Sequence, residues 1–140
     1  MNELTPAESR DLRCIAGMMI PASSEYSVPG ADDALVFADI VDTMGRDTAH
    51  VREALAGVAG LVDMDEARRE AAMMALRERG GPAAATLSRV ILQCYYRDDR
   101  VVRSLGLEPR PPFPKGHTLE QGDWSLLDPV RKRAKMWRDA

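Results

Sequence analysis

The sequence predicts an all-α protein: a single helical domain of about six to seven helices, an extended proline-rich arm and a short terminal helix. Three observations predict it. Helix-capping signals recur from residue 5 to residue 99, and apolar residues follow each one at three- and four-residue spacing. No alternating strand pattern of useful length appears. Residues 106–128 break the helical order, because GLEPRPPFPKGHTLEQGDWSLLD has no helical or strand period. It carries four prolines (Pro109, Pro111, Pro112, Pro114) with Phe113 and Trp124 among them. The chain therefore divides into a helical core domain, 1–106, and an arm plus C-terminal helix, 107–140.

Each helix has a start and a stop. Thr5-Pro6-Ala7-Glu8 is a capping box with proline at the first helical position. Leu12, Ile15, Ala16 and Met19 form its apolar face, and Pro21 ends it. A small polar loop follows from Ala22 to Pro29, with Tyr26 and Val28 expected as anchors. The second helix begins after Gly30, with Asp32 and Asp33 in its first turn, where carboxylates favour the helix dipole. Leu35, Ala38, Val41 and Met44 are expected on one face, with Phe37 and Ile40 beside them.

Asp47 is the expected cap of a third helix carrying Val51, Leu55, Val58 and Val62, and weakened by Gly57 and Gly60. Asp63 and Glu66 read as a second capping box, for a helix through Ala72, Met73, Leu76 and Arg79 that closes at Gly80-Gly81. Pro82 opens the next, with Leu87, Val90, Ile91 and Cys94 inward. Asp98 or Asp99 caps a short piece ending at Gly106. Asp128-Pro129 starts the last helix, whose residues 130–140 hold five basic side chains against one acidic.

Composition narrows the function classes. With 140 residues, 45% of them hydrophobic but only 5% aromatic, the chain can bury a core of Ala, Leu, Val and Met. Its net charge of −3 and pI near 5.4 argue against nucleic-acid binding, which calls for a basic excess. No apolar run is long enough to span a membrane. The first residues hold neither an apolar signal region nor a twin-arginine pair, so a soluble, cytoplasmic chain is expected. Cys14 and Cys94 lack metal or dithiol spacing and read as two buried, reduced thiols.

The residues that could do chemistry are few. His50 lies in a helix first turn and His117 in the arm without a second ligand near it. Asp32-Asp33 and Asp98-Asp99 are explained by capping, and Ser23-Ser24 has no base nearby. Gly80-Gly81-Pro82 is a helix break rather than a phosphate loop. Met18, Met19, Met73 and Met74 read as core filling. No catalytic, cofactor-binding or metal residue is therefore expected in this chain.

The segment MMIPASSEYSVPGADDALVFADIV, residues 18–41, joins a helix ending at Ile20-Pro21 to a helix start at Pro29-Gly30-Ala31. Tyr95-Tyr96, Asp98, the Leu105-Gly106 turn and the Pro/Gly/Trp-containing arm follow in order. This order resembles the gluconate 2-dehydrogenase subunit 3 family, small helical subunits that accompany a large flavin-dependent dehydrogenase of the glucose–methanol–choline (GMC) oxidoreductase type. Many members begin with a twin-arginine signal and continue Asp-Pro-glycine-rich after the aromatic pair; Asp98-Asp99-Arg100-Val101 stands at that place in this chain.

The resemblance implies a non-catalytic small subunit that binds and stabilises an FAD-dependent GMC-type catalytic subunit, with no cofactor of its own and FAD in the partner. A prolyl arm with bulky apolar residues suits the contact. Phe113, Trp124 and Trp137 are the expected anchors, supported by Pro112, Pro114, His117, Arg131 and Arg133. Two other readings stay open: a free-standing helical interaction or regulatory protein with the arm on its own core, and a small enzyme using His117 with carboxylates of the arm.

Overall fold

A computed structural model describes residues 4–111, 113–116 and 118–134. Among them there are seven α-helices, three 3-10 turns and no strand. The helices are α1 (Pro6–Met19), α2 (Ala34–Thr43), α3 (Thr48–Ala56), α4 (Glu66–Arg79), α5 (Gly81–Arg97), α6 (Asp99–Ser104) and α7 (Asp128–Arg131). The protein is all-α, as its capping pattern requires. Contacts within the chain define two compact units, Met1–Pro109 and Arg110–Ala140.

In the first unit α5 is the central element, packed against α2, α3, α4 and α6. Leu87, Val90, Ile91 and Cys94 are its inward residues, as the periodicity predicts. They meet Val51 and Leu55 of α3, Val36 and Ile40 of α2, and Leu12 and Ile15 of α1 in one apolar cluster. Fully burying each such side chain is worth roughly 1.5–3 kcal/mol against leaving it in water. The start of α1 forms as the sequence dictates. Thr5 accepts from the Glu8 N–H while the Glu8 carboxylate accepts from the Thr5 N–H at 2.7 Å. Glu8 also receives Arg52 Nε at 2.9 Å, which ties α1 to α3. The Thr5 N–H and then Arg52 hold the Glu8 carboxyl below its usual range.

Five expectations about local structure are corrected. The buried face of α2 is Val36 and Ile40, continued by Met44; Leu35, Ala38 and Val41 are exposed. Apolar residues surround this helix, so its rotation is set elsewhere: Asp39 takes Arg97 of α5 in a two-pronged ion pair, and Thr43 Oγ1 lies 3.3 Å from Cys94 Sγ. Tyr26 is exposed rather than an anchor, because the loop 21–30 closes through its own backbone, with Ser23 and Val28 exchanging two 3.1 Å hydrogen bonds.

Asp47 makes no capping bond; it pairs with Arg89 of α5 at 2.9 Å. The third helix stops at Ala56, and Gly57 and Gly60 lie beyond it. Gly60 has φ 77°, which a side chain would strain. The cap of α4 is Asp65, which accepts from the Arg68 N–H at 2.9 Å, and not Asp63, which belongs to the 3-10 turn Leu61–Asp63.

That turn is held from both sides by buried or part-buried polar groups. Asp11, on the inner face of α1 and only 4% exposed, accepts the Gly60 N–H at 2.8 Å and the Val62 N–H at 3.0 Å. Arg69 of α4 donates to the Leu61 carbonyl at 3.2 Å and the Val62 carbonyl at 2.7 Å. Backbone groups that helix geometry leaves unpaired are thereby satisfied, and Leu61 is driven fully into the core.

A second polar device joins two helix starts. Asp33 caps α2 through the Leu35 N–H, and Asp98 caps α6 through the Arg100 N–H. The Arg100 guanidinium lies between both carboxylates, 2.7 Å from Asp33 and 2.9 Å from Asp98. It holds both below the usual carboxylate range, and they in turn raise its own value.

The second unit has a 3-10 turn at Trp124–Leu127 leading into α7. Asp123 caps the turn, accepting from the Ser125 N–H at 3.0 Å and hydroxyl at 2.6 Å. The turn corrects the expectation that 106–128 is wholly irregular. The described part of the last helix is Asp128–Arg131, far shorter than the run from Val130 to Ala140 read as helical; residues 135–140 lie outside the described ones.

Two outcomes follow from these polar devices. Asp11→Ala leaves the Gly60 and Val62 N–H groups without their acceptor and is expected to cost roughly 2–4 kcal/mol in urea unfolding. A loss below about 0.5 kcal/mol, the level of an ordinary surface change, would show that water replaces the carboxylate. Asp33 and Asp98 have folded values below their ordinary 3.8, so their contribution is complete above that pH and drains away as pH falls through the lowered values. Arg100→Gln should cost about 1 kcal/mol at neutral pH and flatten the fall in melting temperature as pH drops below about 4. Equal slopes in the two proteins would refute that linkage.

Candidate functional site

Three carboxylates of the two Asp-Asp pairs hold structural positions. Asp33 and Asp98 are helix caps sharing Arg100, and Asp99 pairs with Arg103 at 3.1 Å. His50 is exposed on α3, and Ser23 Oγ accepts the Tyr26 N–H at 3.3 Å. Among the described residues no three His, Cys, Asp or Glu side chains come together as a metal site. Also among them, no helix is long and apolar enough to cross a membrane. Cys94 is buried, and burial pushes its thiol up; Cys14 is only partly buried, a correction to the pair of buried thiols.

The residues on which the family resemblance rests form a tight local structure. The Ala31 N–H donates to the Ile20 carbonyl at 2.9 Å and so closes the loop between α1 and α2. Ala31 is fully buried. A Cβ on Gly30 would stand 2.9 Å from the Ala22 nitrogen and 3.2 Å from the Ile20 carbonyl oxygen, so only glycine fits. Arg13 seals the same corner, donating to the Asp32 carbonyl at 2.9 Å and lying 5.6 Å over the Phe37 ring. Tyr95 is buried and meets Tyr96 edge-on at 5.3 Å.

Two apolar surfaces stand out among the described residues. One is on the second unit. Phe113 is 85% exposed and sits in a short turn beside Pro114, where Arg110 reaches the Pro111 and Gly116 carbonyls. Trp124, 62% exposed, opens the 3-10 turn that packs on α7, and Leu119 and Leu126 are exposed as well. Arg131 lies on α7 with Asp128 at 3.7 Å, and Arg133 is exposed just beyond it. The structure thus places Trp124 and Arg131 on neighbouring turns and Phe113 on a separate one. Pro112, His117 and Trp137 lie outside the described residues.

The other surface was not expected. Met18 and Met74 do not fill the core, whereas Met19 and Met73 are partly buried against it as expected; all four line an open groove of about 630 Å3 between the end of α1, α4 and α5. Met74 is 52% exposed and Met18 36%. Leu76 and Leu87 lie beneath, Ala84, Ala85 and Ser88 face them from α5, and Glu70 and Arg77 are the charged members. The adjacent Met-Met pairs were the available sequence signal: two consecutive residues cannot share one buried helix face, so each pair had to send one side chain toward the rim.

The chain matches no protein-family model, no curated protein and no solved structure.

Proposed function

We propose that this chain is a non-catalytic small subunit that binds and stabilises a larger flavin-dependent oxidoreductase of the GMC type, with FAD carried by that partner. The observation that supports the reading most is the set of open apolar side chains on the second unit: Phe113, Leu119, Trp124 and Leu126. Contiguous or clustered apolar exposure is uncommon on proteins that act alone and marks interaction surfaces. Trp and Arg are the residue types that dominate interface energy, and Trp124 and Arg131 occupy adjoining turns. The class of partner comes from the resemblance carried by Ile20-Pro21, Pro29-Gly30-Ala31 and the segments that follow them.

In this reading the work of the chain is adhesion. Proline beside Phe113 limits the backbone freedom lost on docking. The basic residues Arg131, Lys132 and Arg133 steer the subunit toward an acidic surface and fix its orientation.

Co-expression with a GMC-type flavoprotein from the same cell, followed by affinity capture of this chain, is expected to yield a yellow complex. Phe113→Ala or Trp124→Ala should weaken that complex by about 2 kcal/mol or more, roughly thirtyfold, while the melting temperature of the isolated subunit hardly moves. If both changes unfold the isolated subunit and spare the affinity, these aromatics serve the chain's own fold. If no flavoprotein is retained, the partner assignment fails.

A further inference from the structure

The methionine groove has the layout of a seat for a helix. Glu70, Met73, Met74 and Arg77 occupy positions i, i+3, i+4 and i+7 of α4, a single stripe. Gly81, Ala84, Ala85 and Ser88 repeat that spacing on α5. Two neighbouring helices therefore turn stripes of the same period toward one trough, the arrangement by which a third helix packs. The α5 wall is small, so a third backbone can come close. The α4 wall is made of long thioethers, which adapt their shape to what they meet.

Charge selects among possible occupants. Glu70 and Arg77 stand at opposite ends of the α4 stripe, about 10 Å apart along the axis at 1.5 Å per residue. Neither is in an ion pair among the described residues. A single-headed amphiphile offers one charge, whereas this groove presents two of opposite sign at its two ends. A helix with an acidic and a basic residue seven positions apart answers both. The 14-residue α4 also buries only Leu76 within this chain, and helices of that length draw most of their stability from a packed face.

We propose that the groove docks an amphipathic helix of a partner protein, whose apolar stripe covers the four methionines and whose acidic and basic residues meet Arg77 and Glu70. This surface lies within Met1–Pro109 and stands whether or not the second unit grips a flavoprotein. Recognition is of the helix-in-groove kind, read at i, i+3, i+4 and i+7.

The full chain, labelled with 13C at its methionine methyls, can be titrated with a synthetic amphipathic peptide of about 18 residues, five helical turns. The test peptide carries Lys and Glu seven apart beside a leucine stripe. Controls carry two Lys, two Glu or a shuffled order, and dodecanoate serves as a simple amphiphile. The methyl signals of Met18, Met19, Met73 and Met74 should move while buried Met44 stays, and the Lys/Glu peptide should bind about tenfold tighter than either same-charge control. In Glu70→Arg, an exposed substitution, preference should pass to the two-Glu peptide. Unmoved methionines, an equal response to the shuffled peptide or dodecanoate, or an unchanged ranking in Glu70→Arg would each overturn the proposal.

Discussion

A carboxylate in the interior organises the first unit. Asp11 sits on the apolar face of α1, where a charged residue has no reason to be unless something compensates it. Two backbone N–H groups do so, those of Gly60 and Val62, and both belong to the passage between α3 and α4. That passage must therefore come back to α1, and the turn it makes there inserts Leu61 between the helices. Arg69 completes the arrangement by satisfying the carbonyls on the far side. One acid from α1 and one base from α4 thus decide how the turn that leads into α4 lies on α1.

The sequence made the helices legible and left their relations obscure. The Thr5–Glu8 box, the Asp98 cap, the Gly80 stop and the inward face of α5 follow from rules that act within a few residues, and each is found where those rules place it. Elsewhere a distant partner won. Asp47 meets the requirements of a cap but is drawn to Arg89, and Asp63 is taken up by a turn whose cause lies at Asp11. In α2 seven of ten residues are apolar, so period alone could not choose a face, and ion pairing of Asp39 with Arg97 settled it. The methionine groove was hidden for a related reason. A methionine reads as core by composition, and the packing of α1, α4 and α5 shows which member of each Met-Met pair, Met18 and Met74, stands at the rim.

The loop between Ile20 and Ala31 shows how a pattern suggestive of kinship can be explained by geometry. Pro21 stops one helix, Gly30 admits the crossing backbone, and Ala31 buries its methyl against the returning strand of chain. These are demands of a helix corner. Apolar surfaces that the fold leaves uncovered lie on α4 and α5 and on the segment after Pro109.

The single buried residue of α4 has a further consequence. Resistance to local opening follows the apolar contacts an element makes, and it spans the range from nearly nothing to the global value within one domain. α5, with Leu87, Val90, Ile91, Cys94 and Tyr95 all buried, belongs at the upper end of that range, and α4 belongs near the lower. The corner joining them is made of Gly80 at φ 61° and Gly81 at φ 84°, residues whose freedom in the unfolded chain adds nothing to hold the hairpin shut. The first unit is therefore built with a gradient of apolar burial, and α4 is expected to open locally more readily than α5.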